Sequence, residues 1–255
     1  MILANKTIKK LSVFTLALLA AFFVGGCAKQ QDSCLEPPLH TPENTLNPNI
    51  TYVVDVYDPL EGMNRRIYTF NYYFDKFLFL PVVNTYEFIT PDYVEDRISN
   101  FVDNIFEFDN FTNNLLQLEF RGVAITLGRF LINSTLGIAG FWDPATDLDM
   151  VRQTEDFGQT LGRWGVGNGP YIVLPIFGPS NLRDTTGLIT DSVAFSVIGP
   201  QAWVDDDDTT LIFSGVTAVD KRHRQSFRYY QTGSPFEYEM IRMLYDSKRQ
   251  IEILK

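Results

Sequence analysis

Apolar residues recur at alternating spacings of three and four through Leu60, Met63, Ile67, Phe70, Phe74 and Phe77, which is one stripe along a helix. Asp58, Pro59 and Glu61 stand ahead of it as N-cap, first helical residue and third-position acid, so a capping box is expected to open this helix and Pro81 to end it. Turning through about 100° per residue places Asn64, Asn71 and Asp75 along one edge of the stripe, while Arg65, Arg66, Thr69 and Lys76 point away. A second helix is predicted from Thr90-Pro91, with Val94, Ile98, Phe101 and Ile105 on one face. A third covers about 113–136, where Gly122, Ala124 and Gly128 permit close helix approach beside Leu127, Phe130 and Leu131. Ser234-Pro235-Phe236-Glu237 reads as another capping box, leading a helix with Tyr238, Ile241 and Tyr245 inward. Strand-like alternation is scarce. The run Tyr171–Phe177 is fenced by Gly169-Pro170 and Gly178-Pro179, and Pro175 bars it from a central strand, which predicts an extended apolar loop or hairpin over 170–178. The fold class is all-α.

The N-terminus follows a different pattern. Lys6, Lys9 and Lys10 precede the apolar run Leu11–Val24, which is too short to span a bilayer and reads as a leader. It stops at Val24-Gly25-Gly26-Cys27, similar to a bacterial lipobox, so residues 1–26 are expected to be removed and Cys27 to carry covalent lipid, palmitate among its chains; an ordinary secretory signal is the alternative. Ala28 in place of Asp resembles outer-membrane sorting. Residues 27–50, with Pro37, Pro38, Pro42 and Pro48, read as a lipidated tether, and 51–255 as a single helical domain. With Cys27 acylated, Cys34 has no partner left in the chain for a disulfide.

Composition narrows the function. At 45% hydrophobic, the 255 residues have material for a core, and 21 Lys+Arg against 31 Asp+Glu give a net charge of −10, which opposes nucleic-acid binding as a main role. No segment of the mature chain approaches the roughly 18–20 apolar residues of a spanning helix. Two readings stay open: amphipathic helices closing over a soluble core, or lying in a membrane interface, where 14% aromatic residues also fit. Catalysis finds little footing. The histidines are His40 and His223, no Gly-x-Ser-x-Gly or phosphate-binding Gly-x-x-x-x-Gly-Lys motif occurs, and no metal site or cofactor is expected. The Asp205–Asp208 run lacks the ligand spacing of a calcium loop and reads as solvated. Gly165, Gly167 and Gly169 follow no strand and suit a turn or hinge better than a dinucleotide loop. Acidic pairs such as Glu155-Asp156 leave a glycosidase-like pair open. Residues 221–255 hold eight Lys/Arg against four acids, read first as a solvated face and second as a contact for anionic headgroups or an acidic partner.

Several segments together resemble the MlaA/VacJ family of outer-membrane lipoproteins: Asp58-Pro-Leu-Glu-Gly-Met-Asn-Arg65 through Phe70-Asn71; Ile98-Ser-Asn-Phe101; Gly128 to Phe141; Asp156 to Pro170; then Leu174-Pro, Gly178 and Leu182-Arg-Asp184. They span 58–191 in order, and the likeness weakens beyond about 200. The resemblance implies a ring-like bundle of amphipathic helices in the periplasmic leaflet of the outer membrane around an amphipathic channel. It further implies removal of mislocalised glycerophospholipids from the outer leaflet, handed to a soluble periplasmic carrier, with a trimeric porin as partner, so that lipid asymmetry is kept. On that reading Asn64, Asn71 and Asp75 are candidates for a headgroup path, with buried hydrogen bonding between elements as the equal alternative. The loop around Leu174 and Phe177 is a candidate gate, hinged at Gly165, Gly167 and Gly169. Arg183 and Asp184 read as a structural ion pair. A scaffold or assembly lipoprotein is the competing function.

Overall fold

A computed structural model describes residues 56–255 apart from Asp205. Cys27, Cys34, the leader and the tether lie outside the described residues. Helix α1 (Glu61–Phe74) runs without a break into a π-helical turn (Asp75–Phe79) and then α2 (Leu80–Ile89). Pro81 therefore does not end the first helix. It sits in the first turn of α2, where its missing N–H leaves no gap, and the wider π turn just ahead relieves the clash its ring would cause. Thr90, extended before Pro91, closes the run, and α3 (Asp92–Leu116) begins where expected.

The third predicted helix divides. α3 continues to Leu116, the chain reverses through Leu118 in a left-handed conformation, and α4 (Phe120–Thr135) packs back antiparallel. A Cβ at Gly122 would lie 1.8 Å from Asn114 Oδ1, which explains the small residue there. A single turn, α5 (Pro144–Asp147), and α6 (Phe157–Arg163) lead to the hairpin β1 (Tyr171–Leu174) and β2 (Gly178–Asn181). Its register pairs Tyr171 with Asn181 and Leu174 with Gly178, leaving Pro175, Ile176 and Phe177 as the tip. α7 (Leu182–Val197) crosses α6 tightly, since a Cβ at Gly187 would meet the Gly158 backbone nitrogen at 2.3 Å. A 3-10 turn (Pro200–Trp203), α8 (Asp207–His223) and α9 (Glu237–Leu254) complete the described chain.

Both expected capping boxes resolve differently. Asp58 does not cap α1, whose N-cap is Leu60; its carboxylate instead accepts bonds from Asn64 Nδ2 (2.7 Å), Tyr238 OH (2.5 Å) and Arg242 Nη1 (3.1 Å), joining α1 to α9. Glu237 likewise turns inward to Tyr68 OH (2.8 Å), Tyr230 N (2.5 Å) and Thr232 Oγ1 (2.7 Å). A buried carboxylate with three donors is worth more here than a cap on a solvated helix end. Tyr68, Tyr171, Val173 and Tyr238 form a small apolar cluster against which Ile241 and Tyr245 pack, as the pattern of α9 predicted.

Candidate functional site

The helices are amphipathic in the reverse sense from a water-soluble domain. On α1 the buried positions are Asn64, Tyr68 and Asn71, while Met63, Phe70 and Phe77 of the apolar stripe stand exposed. α4 buries Gly122, Thr126, Arg129 and Asn133 and exposes Leu127, Phe130 and Leu131. α3 buries Glu95, Asn104, Glu107, Asn110, Asn113 and Asn114 with Val102. Among the described residues the fully buried apolar side chains are few, and the exposed ones extend along every long helix to Leu211 and Ile212 on α8 and Ile251 and Leu254 on α9. Large apolar side chains exposed along whole helix faces are not what a monomer in water ordinarily shows.

The interior is built from ion pairs and amides. Arg129 is its first centre: Nε donates to Glu107 (2.9 Å), Nη2 to Asp143 (2.8 Å), and Nη1 to Thr146 Oγ1 (3.1 Å) and the Met150 carbonyl (2.5 Å). Asn133 completes it, donating to Asp143 (2.8 Å) and accepting from Ala145 N (3.1 Å). Arg249 is the second centre, bridging Asp156 at the N-cap of α6 (2.8 Å) and Asp184 in the first turn of α7 (2.9 Å). Burial raises the carboxyls of Asp156 and Asp184, but the Arg249 guanidinium outweighs it and holds both below the usual range. Arg183 pairs with Asp184 (2.9 Å), as expected, and with Asn168 Oδ1 (2.5 Å).

Asn64, Asn71 and Asp75 are brought together on one buried edge of α1 and its π turn, but their polar groups are used inside the protein. Asn64 donates to the Tyr171 carbonyl (3.1 Å) and accepts from Val173 N (2.9 Å); Asn71 donates to the Leu174 carbonyl (2.9 Å) and accepts from Ile176 N (2.7 Å). The match is metric. Seven helical residues advance about 10.5 Å and three extended residues about 10 Å, so Asn64 reaches β1 itself and Asn71 reaches the chain where it leaves β1 at Leu174 for the hairpin tip. Asp75 holds Arg222 bidentately (2.6 and 2.7 Å). The three act as braces for the hairpin and for the end of α8, the buried hydrogen bonding that the pattern left open beside a headgroup path. A polar pocket of about 280 Å³ lies elsewhere, lined by Arg121, Arg163, Lys255, Glu119, Asp149 and Glu155 among others.

The candidate gate is fastened along its first strand. Leu174 is half-buried and held through its carbonyl, whereas the tip residues Ile176 and Phe177 are exposed. Gly165 has φ +88° with open space around it and Gly167 is equally uncrowded; Gly169 has φ +67° and packs on Leu182. Asn168, between them, is tied to Asp246 (2.6 Å) as well as Arg183.

Two further readings change. In the basic C-terminal segment the arginines turn inward, Arg222, Arg224, Arg242 and Arg249 pairing with Asp75, Asp103, Asp58 and Asp156, so the acidic body meets much of its own basic end, while Lys221 and Lys248 stay exposed. Asp206 of the aspartate run caps α8, accepting from Thr209 N (3.0 Å), which places Asp207 and Asp208 at the favourable end of the helix dipole. The networks around Arg129 and Arg249 were missed because their members lie far apart in sequence. The signal present was the 3–4 spacing of Asn104, Glu107, Asn110 and Asn114, and of Thr126, Arg129 and Asn133.

The pattern that defines the MlaA lipoprotein family matches residues 56–252. An uncharacterised Rickettsia prowazekii protein is 36% identical over 170 residues, 67% of this chain and 66% of the relative. The intermembrane phospholipid transport system lipoprotein MlaA of Escherichia coli is 38% identical over 138 residues, 52% of this chain and 55% of the relative. That of Haemophilus influenzae is 30% identical over 214 residues, 81% of this chain and 76% of the relative. The match thus spans slightly under two thirds of the Rickettsia relative's length and about half of the Escherichia coli relative's. A solved structure from work on the maintenance of bacterial outer membrane lipid asymmetry superposes with a TM-score of 0.61 at 30% identity, covering 77% of this chain and 98% of its own. By the extent of the family match and the shared helical fold, this chain belongs to the MlaA lipoprotein family.

Proposed function

We propose that this protein is the outer-membrane lipoprotein of an intermembrane phospholipid transport system. It takes mislocalised glycerophospholipids from the outer leaflet and passes them to a soluble periplasmic carrier, beside a trimeric porin, preserving lipid asymmetry. The observation that carries this reading is the inversion of the helices. Exposed leucine, isoleucine and phenylalanine faces cost about 25 cal/mol per Å² in water and nothing against acyl chains, and lipid demands that polar groups be satisfied internally, as those of Arg129, Asn64 and Asn71 are. No helix among the described residues is long and apolar enough to cross a membrane, so they lie within the periplasmic leaflet, tethered through lipid on Cys27. The ring-like arrangement around an amphipathic path belongs to this proposal. So does a gate, confined to the tip residues Ile176 and Phe177 with compliance at Gly165 and Gly167.

The test is partition. Residues 28–255, exported behind a cleavable leader that adds no lipid, should bind vesicles of phosphatidylethanolamine and phosphatidylglycerol and copurify with phospholipid. A body that stays in the aqueous phase free of lipid overturns the reading in favour of a scaffold lipoprotein.

A further inference from the structure

Three helices turn chemically unusual faces toward one another beyond the networks already described. From α3 come Phe106 and Asp109, from α7 Asp191 and Phe195, and from α8 Phe213 and Lys221, each set at helical spacing on its own element. The three rings stack. Phe106 lies 5.3 Å from Phe195 at 19°, and Phe213 lies 6.4 Å from each at 29° and 10°. Lys221 Nζ sits 4.2 Å from the Phe106 ring centre. Asp191 is fixed by Asn113 Nδ2 (3.1 Å) and Phe157 N (2.8 Å).

No Lys221–carboxylate ion pair forms among the described residues, whereas Glu107, Asp75 and Asp184 are each held by an arginine. The nearby alternatives are already engaged: Arg224 pairs with Asp103 (2.9 Å) and with Asp220, and Arg152 pairs with Asp103. Lys221 is exposed to solvent at its place over the Phe106 ring, and desolvation, ahead of the opposing charge of Asp109, is the leading influence on its ammonium, which it lowers. Desolvation, then the charge of Asp191, pushes Asp109 up to about 7, and desolvation also raises Asp191. One exposed cation and two half-buried carboxylates, none of them closed into an ion pair among the described residues, stand beside an apolar platform.

We propose that Lys221, Asp109 and Asp191 form a recognition site for a glycerophospholipid headgroup bearing a primary amine, with phosphate on the Lys221 ammonium, the amine between the two carboxylates, and the glycerol end on the Phe106–Phe195–Phe213 face. This rests on the phospholipid-transport reading and names the headgroup class it favours. A zwitterion supplies each group of the site with its opposite, whereas an anionic headgroup without an amine meets two carboxylates and is disfavoured.

The experiment uses the full-length lipidated protein, extracted in mild detergent, incubated with equimolar phosphatidylethanolamine and phosphatidylglycerol, and repurified for mass spectrometry of bound lipid. Wild type should enrich phosphatidylethanolamine over the input ratio. Asp109→Asn should cut that enrichment about tenfold toward the input ratio, as loss of one charge-assisted contact implies, without lowering total lipid. Lys221→Met should lower total lipid of both kinds. Asp191 is left intact because it also holds Phe157 and Asn113. Circular dichroism confirms folding of both variants. Wild-type loading and ratio in the two variants overturns the headgroup site while the transport reading stands. A wild-type protein that carries no phospholipid overturns both.

Discussion

Replacing Asn64 with leucine tests the bracing of the hairpin. The amide serves the Tyr171 carbonyl at 3.1 Å and the Val173 N–H at 2.9 Å, both on buried residues, and donates to Asp58 at 2.7 Å. Leucine removes all three contacts and no water can replace them. At about 1–3 kcal/mol for each buried group left unmet, the loss should come to about 2–5 kcal/mol. Asn71→Leu removes an equivalent pair from Leu174 and Ile176, but those positions are half-buried and exposed, so water recovers much of the bonding and about 1 kcal/mol should be lost. Urea unfolding in constant detergent, together with amide exchange at Val173 and Ile176, measures both. Equal losses for the two variants, or a loss under about 0.5 kcal/mol for Asn64→Leu with Val173 protection unchanged, would refute the bracing role.

Arg249→Met strands Asp156 and Asp184 and should cost about 3–5 kcal/mol, with part recovered in the Arg249→Met, Asp184→Asn double variant; strict additivity would deny the coupling. Because Asp156 and Asp184 titrate below the ordinary carboxylate value of about 3.9, their stabilisation is full above that value and is lost as pH falls through the lower folded one, so acid unfolding should begin below about pH 4 and flatten in Arg249→Met. Asp109 has the opposite sign: the folded state keeps its proton up to about 7, so stability declines as pH rises from about 4 through 7, and Asp109→Asn should remove that decline in melting temperature between pH 5 and 8. Gly122→Val places carbon against Asn114 in the α3–α4 contact and should destabilise by about 1–3 kcal/mol, read from the same unfolding curves.

Helix positions were legible wherever backbone chemistry is local. Pro91 starts α3, Pro175 confines the strand to a hairpin, and the 3–4 spacing from Met63 to Phe77 marks one face of α1 and the turn that follows. Pro81 misled because a π turn ending two residues before it absorbs it, and no residue in Asp75–Phe79 announces that geometry. Asp58 and Glu237 misled because a capping pattern and a buried anchor use the same acid, and only the distant partners Tyr238 and Tyr68 distinguish them.

The direction in which the stripes face is a different kind of information. Periodicity locates the boundary between apolar and polar faces and is symmetric about it, so Leu127, Phe130 and Leu131 fit a core as readily as they fit acyl chains. What breaks the symmetry is the chemistry of the polar side. A solvated helix face is ordinarily rich in Lys and Glu, whose long chains lose entropy and whose charges lose hydration on burial. The polar face of α3 instead carries Asn104, Asn110, Asn113 and Asn114 around Glu107, and that of α4 carries Thr126 and Asn133 around Arg129. Short amides and hydroxyls give up little entropy and bring both donor and acceptor, so they can close a network around one arginine and one glutamate at small cost. A helix whose polar stripe is amide-rich and lysine-free is therefore one whose polar stripe is meant to be inside, and the apolar stripe opposite it must face something other than water.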